Sequence, residues 1–210
     1  GIYYDNNYNA GFVESFETYF DNRKLKIMDL GCAGGELICR LNERGHTAVG
    51  LEGSDHCLVI RPEMVEEVGF MPAGHKNWEQ YGNKNLFTCD VTKPFTVTFN
   101  DENFKCDFIT CWDVIEHFYD EQLDQFFNNV NNHLENGGTF TCSIHMGASL
   151  RHNSSKNTPH GLDYHKSKHP REWWVEELSK HFKLLENYPF VVSNRGLPAD
   201  HSDLFACTKL

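Results

Sequence analysis

The chain has 210 residues, of which 40% are hydrophobic and 23% are charged, and this composition is typical of one globular domain. No apolar run approaches the roughly 20 residues of a membrane helix, and the first residues show no basic-then-apolar signal pattern. Thirty acidic residues against 19 basic ones give a net charge of −11. This charge disfavours binding along a nucleic acid, because phosphate contacts need clustered Lys and Arg.

Helices and strands are predicted to alternate along a single domain, residues 1–210, that begins with an N-terminal helical segment within residues 1–24. Apolar spacing predicts helices over residues 12–20, 36–44, 121–134 and 170–181. Short apolar runs predict strands over residues 26–30, 47–51, 86–89, 106–112, 139–144, 182–192 and 203–208. Residues 68–83 are predicted to be irregular. Such an alternation favours an α/β fold in which a mostly parallel, doubly wound sheet carries helices on both faces.

Residues 145–169 form a polar, histidine-rich stretch between the fifth strand and the next helix. The stretch contains five of the chain's 12 histidines. Connections of this length are usually functional, and we therefore expect a lid on the substrate side of the domain.

The eight cysteines lie mostly inside apolar runs, and no C-x-x-C pair occurs. This placement predicts buried free thiols rather than disulfides or a thiolate zinc site. A reduced, cytoplasmic protein is the expectation.

A glycine-rich turn, Asp29 to Gly35, connects the first strand to a helix. Glycine allows a tight turn and the close approach of a ligand. A dinucleotide-binding turn would follow the pattern G-x-G-x-x-G, but Ala33 stands at the position of the second glycine. The carboxylate of Asp29 would repel a pyrophosphate and attract an ammonium group.

Two further carboxylates end neighbouring strands of the predicted sheet. Glu52 ends the second strand, where an acidic side chain can accept hydrogen bonds from both hydroxyls of a ribose. Asp90 ends the third strand, where a carboxylate can accept from an amino group of a base. Ligands of such sheets bind beyond the carboxyl ends of the strands, so these acids point to a nucleoside-containing ligand.

The whole pattern resembles the class I S-adenosylmethionine-dependent methyltransferases. The matching residues are Asp29-x-Gly31-x-x-x-Gly35, Glu52, Asp90-Val91 and the run from Cys111 to His117, Cys-Trp-Asp-Val-Ile-Glu-His. That run is similar to the E-V-L-E-H motif of a broad branch of the superfamily. The resemblance covers residues 24–145 and implies a Rossmann-like sheet of seven strands with an antiparallel C-terminal strand.

The resemblance also implies where S-adenosylmethionine, and its product S-adenosylhomocysteine, would bind. The glycine-rich turn would line the methionine part, Glu52 would bind the ribose, and Asp90 and Val91 would flank the adenine. The implied cofactor-binding residues are Asp29, Gly31, Cys32, Gly34, Glu52, Gly53, Ser54, Asp90, Val91, Cys111 and Trp112.

His117 and a histidine of the lid, His165, are the candidate catalytic residues, because oxygen acceptors benefit from a general base. A small molecule or sugar, methylated on oxygen, is the expected acceptor. Nucleic acid and membrane partners are not expected, and the oligomeric state is left open.

A metal site is the alternative for the same residues. Small-RNA 2′-O-methyltransferases hold a divalent metal with a similar E-x-x-E-H motif and a later histidine. Here Asp113, Glu116 and His117 match with one substitution, and His165 or His169 could be the later ligand. The metal-free version is favoured, because nothing in the sequence fixes a lid histidine near the other ligands and Asp113 is shorter than the expected Glu.

Two rivals come from other functional classes. A nicotinamide-dependent dehydrogenase is disfavoured by Asp29 and Ala33, for the reasons given above. A non-catalytic subunit that only binds the cofactor stays possible on the sequence, since a cofactor site can persist without turnover.

Overall fold

The computed structural model of the chain describes residues 8–54, 73–99, 101–146, 165–192 and 202–210. The helices within these ranges are α1 (Ala10–Tyr19), α2 (Glu36–Glu43), α3 (Ala73–Tyr81), α4 (Asp120–His133) and α5 (Arg171–Ser179), with one turn of 3₁₀ helix at Ile115–His117. The strands are β1 (Lys26–Leu30), β2 (Thr47–Glu52), β3 (Leu86–Thr88), β4 (Thr98–Phe99), β5 (Glu102–Asn103), β6 (Cys106–Trp112), β7 (Leu134–His145), β8 (Phe182–Leu184) and β9 (Ser202–Lys209). None of the helices in these ranges has both the length and the apolar character needed to cross a bilayer.

Seven of the strands form one sheet in the order β3-β2-β1-β6-β7-β9-β8. The pairs β3–β2, β2–β1, β1–β6 and β6–β7 are parallel, whereas β9 runs antiparallel to β7 and β8. The predicted sheet, mostly parallel with an antiparallel C-terminal strand, is therefore confirmed. Its carboxyl edge places the ends of β1, β2, β3, β6 and β7 side by side.

The core is divided by the sheet into two layers. Alternate residues of β1 and β6 face opposite sides, since Ile27 and Phe108 pack with α1 and α2 while Met28 and Ile109 pack with α4 and α5. The seven cysteines in the described ranges are free thiols, as the sequence indicates, and Cys57 lies outside those ranges. Burial raises the pKa of the Cys111 and Cys142 thiols well above the usual range, so these residues behave as small apolar side chains.

Five elements differ from the sequence prediction. Strand β8 ends at Leu184, although the predicted strand extends to residue 192, and Phe190 of that stretch instead packs against Phe12 of α1. Helix α3 occupies part of the stretch predicted to be irregular, because its Trp78 is anchored to the glycine-rich turn by a tertiary contact that periodicity cannot reveal. Strand β7 begins at Leu134 rather than at residue 139. Residues 136–138, Asn-Gly-Gly, are part of this strand, and the pairing with β6 shifts register between Cys106 and Phe108. Strands β4 and β5 form a separate two-stranded hairpin.

The central part of the predicted lid, residues 147–164, lies outside the described residues, as do the residues that follow Ser54. The described ends of the lid, at His145 and from His165 onward, lie at the carboxyl edge of the sheet.

Candidate functional site

The glycine-rich turn is hydrogen-bonded to the neighbouring strand and leaves no room for a side chain at Gly31. The backbone N–H groups of Gly31 and Cys32 donate to the Leu51 carbonyl at 2.7 and 3.1 Å. Gly31 has φ +80°, and a Cβ built on it would lie 2.3 Å from Cγ2 of Val114. The turn therefore requires glycine at position 31 and lies against the residues that follow β6.

Helix α3 supports this turn from behind, a contribution that the sequence analysis missed. The indole N–H of Trp78 donates to the Ala33 carbonyl at 2.8 Å, and the amide of Asn77 donates to the Gly34 carbonyl at 3.0 Å. The carbonyls of two successive turn residues are thus satisfied by one helix. The sequence signal that could have revealed this support is Trp78, a large apolar residue in a mostly polar segment.

The carboxylate of Glu52 bridges the glycine-rich turn and the end of β2. It accepts from the backbone N–H of Ala33 at 2.9 Å through one oxygen and from that of Ser54 at 3.0 Å through the other. A carboxylate has about four acceptor positions, so both oxygens keep capacity for a diol. The next residue, Gly53, is exposed, and among the described residues a Cβ built on it would meet only the Cys89 carbonyl, at 3.9 Å.

Asp29 lies behind this bridge rather than at its surface. Its side chain is fully buried, and one oxygen accepts from the Thr110 hydroxyl at 2.6 Å. The carboxylate links β1 to β6 directly beneath the turn. Direct contact with a ligand's ammonium group stays a prediction, and the observed contact gives Asp29 a structural role as well.

Asp90 and Val91 follow β3 at the same edge of the sheet. One oxygen of Asp90 accepts from the backbone N–H and the hydroxyl of Thr92, at 3.1 and 2.6 Å. The Thr92 hydroxyl, followed by Lys93, lowers the pKa of Asp90, so the carboxylate is ionised at neutral pH. Val91 is buried, and its carbonyl accepts from the Asn129 amide at 2.9 Å.

Three side chains of the predicted cofactor set point into the core. The thiols of Cys32 and Cys111 are almost completely buried, with Cys32 Sγ packed against Gly50. Trp112 is 6% exposed and its ring meets Phe12 of α1 edge-on, with centroids 4.8 Å apart. These residues would therefore contact a cofactor through their backbone atoms. Their side chains pack in the core, where Trp112 contacts α1.

A strained turn follows β6 and is locked by Ser143 of β7. Asp113 adopts φ +51°, which is uncommon for a non-glycine residue. The Ser143 hydroxyl lies 3.0 Å from the Asp113 N–H and donates to its carboxylate at 2.7 Å. This lock directs Val114 against Gly31 and leads the chain into the 3₁₀ turn that carries Glu116 and His117.

Three histidine rings meet beyond the carboxyl ends of β6 and β7. The His165 ring lies 4.9 Å from the His117 ring and 4.9 Å from the His145 ring, measured between centroids. The structure therefore brings together the two candidate catalytic residues and adds His145, which the sequence analysis did not select. One ligand atom from each of Glu116, His117 and His165 lies within 4.8 Å of the others.

His169, the other late histidine considered as a metal ligand, lies elsewhere. It contacts Asp120 at the start of α4 and stacks on Trp173. Asp113 is likewise engaged with Ser143. Of the five residues considered as metal ligands, the structure groups Glu116, His117 and His165.

Solved structures similar to this chain share its fold. They include the PH0226 protein from Pyrococcus horikoshii, at 16% identity over 99% of this chain and 95% of that one with a TM-score of 0.63. An S-adenosylmethionine-dependent methyltransferase from Clostridium acetobutylicum matches at 16% identity over 95% of this chain and 91% of that one, with a TM-score of 0.60. The N-methyltransferase NodS from Bradyrhizobium japonicum, in complex with S-adenosyl-L-homocysteine, matches at 11% identity over 94% and 85%, with a TM-score of 0.53.

No curated protein matches the chain in sequence. The family model described as "Methyltransferase domain" matches residues 3–187, which is most of the chain. The described residues at the sheet edge fit the cofactor of such enzymes, since none of their side chains crowds Gly53 and Glu52 keeps acceptor capacity beside it. The chain belongs to the methyltransferase-domain family and is an S-adenosylmethionine-dependent enzyme of class I.

Proposed function

We propose that this enzyme transfers a methyl group to an oxygen of a polar small molecule or sugar, with His117 and His165 beside the acceptor. The main observation behind the proposal is that the glycine-rich turn and the histidine cluster are directly connected. Val114 packs against Gly31 of the glycine-rich turn, and its carbonyl accepts from the His117 N–H at 3.0 Å. One short segment thus connects the cofactor turn to the histidine cluster.

The cofactor would lie across the carboxyl edge of the sheet. Glu52 would accept from the ribose hydroxyls, Gly53 and Ser54 would flank the nucleoside, and Asp90 with Val91 would lie at the adenine. Backbone atoms of Gly31, Cys32 and Gly34 would line the methionine part, with Asp29 beneath them and Cys111 and Trp112 behind. When bound, S-adenosylmethionine supplies a methyl group on a positively charged sulfur that leaves as a neutral thioether.

The protein's own task in this reaction is alignment and the removal of one proton. An in-line displacement depends on holding the acceptor oxygen opposite the departing sulfur. His117 is exposed and His165 is 8% exposed, so His117 is the residue that an acceptor can reach. Its ring would take the acceptor's hydroxyl proton, and the adjacent His165 ring would hold it in place.

The acceptor class follows from charge and from the polar rim of the site. A net charge of −11 opposes a polyanionic acceptor, and imidazole and carboxylate groups suit a hydroxyl-rich molecule. Nitrogen acceptors enter the test because two proteins of similar fold, NodS from Bradyrhizobium japonicum and the glycopeptide N-methyltransferase MtfA, are N-methyltransferases. The buried thiols suit a reducing compartment such as the cytoplasm.

The test is a methyl-transfer assay with a panel of sugars, polyols, phenols and amines, read as formation of S-adenosylhomocysteine. We expect turnover with an oxygen acceptor, and a loss of about 10²–10⁴ in rate for His117→Ala with unchanged cofactor affinity. His181→Ala is the matched control, because it removes a histidine that pairs with Asp124 outside the histidine cluster. Turnover with amines alone, or an active His117→Ala variant, would contradict the proposal.

A metal-dependent RNA 2′-O-methyltransferase is the second candidate, and the grouping of Glu116, His117 and His165 favours it. A buried carboxylate with two imidazoles is a donor set that divalent transition metals accept. Against it stand the net charge and the engagement of Asp113 with Ser143, which leaves three protein ligands in this cluster among the described residues.

Chelation separates the two candidates. The enzyme is dialysed against EDTA and assayed with and without added Mg²⁺, Mn²⁺ or Zn²⁺. The metal-free version predicts unchanged turnover. A loss that metal restores would favour the second candidate, and RNA would then become the first acceptor to assay.

A further inference from the structure

Residues 165–170 form a strap that has no helix or strand of its own and yet is firmly attached. The backbone N–H groups of Lys166 and Ser167 donate to the Glu116 carbonyl at 2.7 and 3.2 Å. Ser167 is 1% exposed, although it belongs to a polar segment. The strap is thus fixed to the same 3₁₀ turn that carries His117.

The side chains of the strap converge on Asp120, the first residue of α4. The Ser167 hydroxyl donates to Asp120 Oδ1 at 2.5 Å, and it also lies 2.7 Å from the Phe118 carbonyl. His169 Nε2 lies 3.0 and 2.9 Å from the two oxygens of Asp120. The His169 ring stacks on Trp173 of α5, with centroids 3.7 Å apart and planes at 17°.

Asp120 is suited to this role by its charge state. Burial raises its pKa, but the hydrogen bonds from Ser167 and His169 outweigh burial and leave it lowered. The ionised carboxylate therefore accepts from two strap residues at once. Hydrogen bonds to a charged acceptor are stronger than those between neutral groups.

His165 is the first residue of the strap, and its placement follows from these contacts. Its ring is buried between those of His117 and His145. The two residues that follow it are held by Glu116, and Asp120 holds residues 167 and 169. If Asp120 released the strap, the His165 ring would no longer be kept against His117.

We infer that Asp120 is a positioning residue of the acceptor site, which holds the strap so that the imidazole of His165 stays against that of His117. The inference rests on the proposed function for the roles of the two histidines. Whether Asp120 keeps the His165 ring in place can be measured without any acceptor.

The experiment compares Asp120→Asn with Asp124→Asn in the full chain. Asp124 lies one turn further along α4 and is also paired with a histidine, with 3.2 Å between Asp124 Oδ1 and His181 Nε2. The probe is carbethoxylation by diethyl pyrocarbonate, followed at each histidine by mass spectrometry. We expect modification of His165 to accelerate by about tenfold in Asp120→Asn, because a charge-assisted restraint on local opening is lost. In Asp124→Asn the rate at His165 should stay unchanged.

General loosening of the fold is detected in the same spectra, because His46 and His133 are buried elsewhere in the molecule. A second readout is the nuclear Overhauser contact between the rings of His117 and His165, which should disappear in Asp120→Asn and persist in Asp124→Asn. Equal modification of His165 in both variants, or a persistent contact between the rings, would overturn the inference.

His169→Phe keeps the test decisive if Asp120→Asn does not fold. A phenyl ring preserves the stacking on Trp173 and removes only the contact with Asp120. We expect the same selective exposure of His165, and unchanged modification would again overturn the inference. Failure of methyl transfer in every variant and in the native enzyme would instead overturn the proposed function, and the two failures are thereby distinguished.

Discussion

Glu52 is the side chain on which the cofactor site most depends. Its two oxygens accept from Ala33 and Ser54, and in the proposed function they also receive the ribose hydroxyls. Hydrogen bonds to a charged group contribute about 1.5–3 kcal/mol. We therefore predict that Glu52→Gln weakens the binding of S-adenosylhomocysteine about ten- to hundredfold, measured by calorimetry.

Glu43→Gln is the matched control for this prediction. Glu43 is an exposed acid at the end of α2 that pairs only with Arg40 among the contacts described here. Its replacement should leave cofactor affinity unchanged. A folded Glu52→Gln variant with native affinity would remove Glu52 from the cofactor site.

Gly31 and Gly53 offer a contrast between a glycine that the fold requires and one that we propose the cofactor requires. Alanine at Gly31 would bring its Cβ to 2.3 Å from Val114 at φ +80°, and we predict a loss of at least about 2 kcal/mol in stability. Among the described residues, alanine at Gly53 would meet no atom closer than the Cys89 carbonyl at 3.9 Å. We therefore expect native stability and a lower affinity for S-adenosylhomocysteine. Thermal unfolding and calorimetry on both variants check this pair. A Gly53→Ala variant with native affinity would show that the cofactor does not approach there.

The placement of the candidate cofactor-binding residues at one edge of the sheet could largely be predicted because their signals are local. A glycine turn after a strand and acids at strand ends appear directly in the sequence, and the structure brings them to one edge. The directions of Cys32, Cys111 and Trp112 could not be predicted, because they depend on which face of the sheet each residue joins. The meeting of His165 with His117 depends on contacts with the Glu116 carbonyl, which leave no sequence signal.

Helix α1 is attached to the rest of the domain by a partly buried ion pair as well as by its apolar face. Glu17 accepts from the guanidinium of Arg44 and lies 2.9 Å from Nε2 of His46. The hydrogen bond from Arg44, helped by His46 and opposed by burial, lowers the pKa of Glu17 from 4.5 to about 2. The attachment therefore requires the ionised carboxylate.

The lowered pKa of Glu17 fixes the sign of a pH effect. A carboxyl whose pKa is depressed by folding stabilises the folded state above its unfolded pKa, and this contribution is lost as the pH falls from 4.5 towards 2. We predict that Glu17→Gln lowers the free energy of unfolding by about 2 kcal/mol at pH 7. This difference from the native protein should vanish near pH 2. Urea unfolding at both pH values measures it.

Glu14→Gln, an exposed position of the same helix, is the control and should cost little at either pH. A difference between Glu17→Gln and the native protein that persists unchanged at low pH would contradict an electrostatic origin. Helix α1 itself was predicted from its apolar spacing. Its ion pair was not, because Arg44 and His46 follow a separate helix and meet Glu17 only in the folded chain.

Helix α3 was not predicted, because hydrophobic periodicity does not detect a helix that depends on a few tertiary contacts. Its sequence is mostly polar, and a glycine follows it. The helix is stabilised by the buried ring of Trp78 and by the hydrogen bonds from Asn77 and Trp78 to the glycine-rich turn. Contacts that are distant in sequence thus override weak local propensity.

Across the whole molecule, the strand order decides which residues can act together. The parallel strands β3, β2, β1, β6 and β7 bring Glu52, Asp90, Asp113 and His145 to one edge, whereas β9 and then β8 complete the sheet beyond β7. A sequence read as alternating strands and helices predicts this edge but not the order of the strands along it.

The central claim is that this edge binds S-adenosylmethionine rather than a dinucleotide, and calorimetric titration tests it most directly. The native chain is titrated with S-adenosylhomocysteine and, separately, with NAD. The account predicts saturable binding of one S-adenosylhomocysteine per chain, weakened in Glu52→Gln, and no measurable binding of NAD. Binding of NAD with no binding of S-adenosylhomocysteine would contradict it.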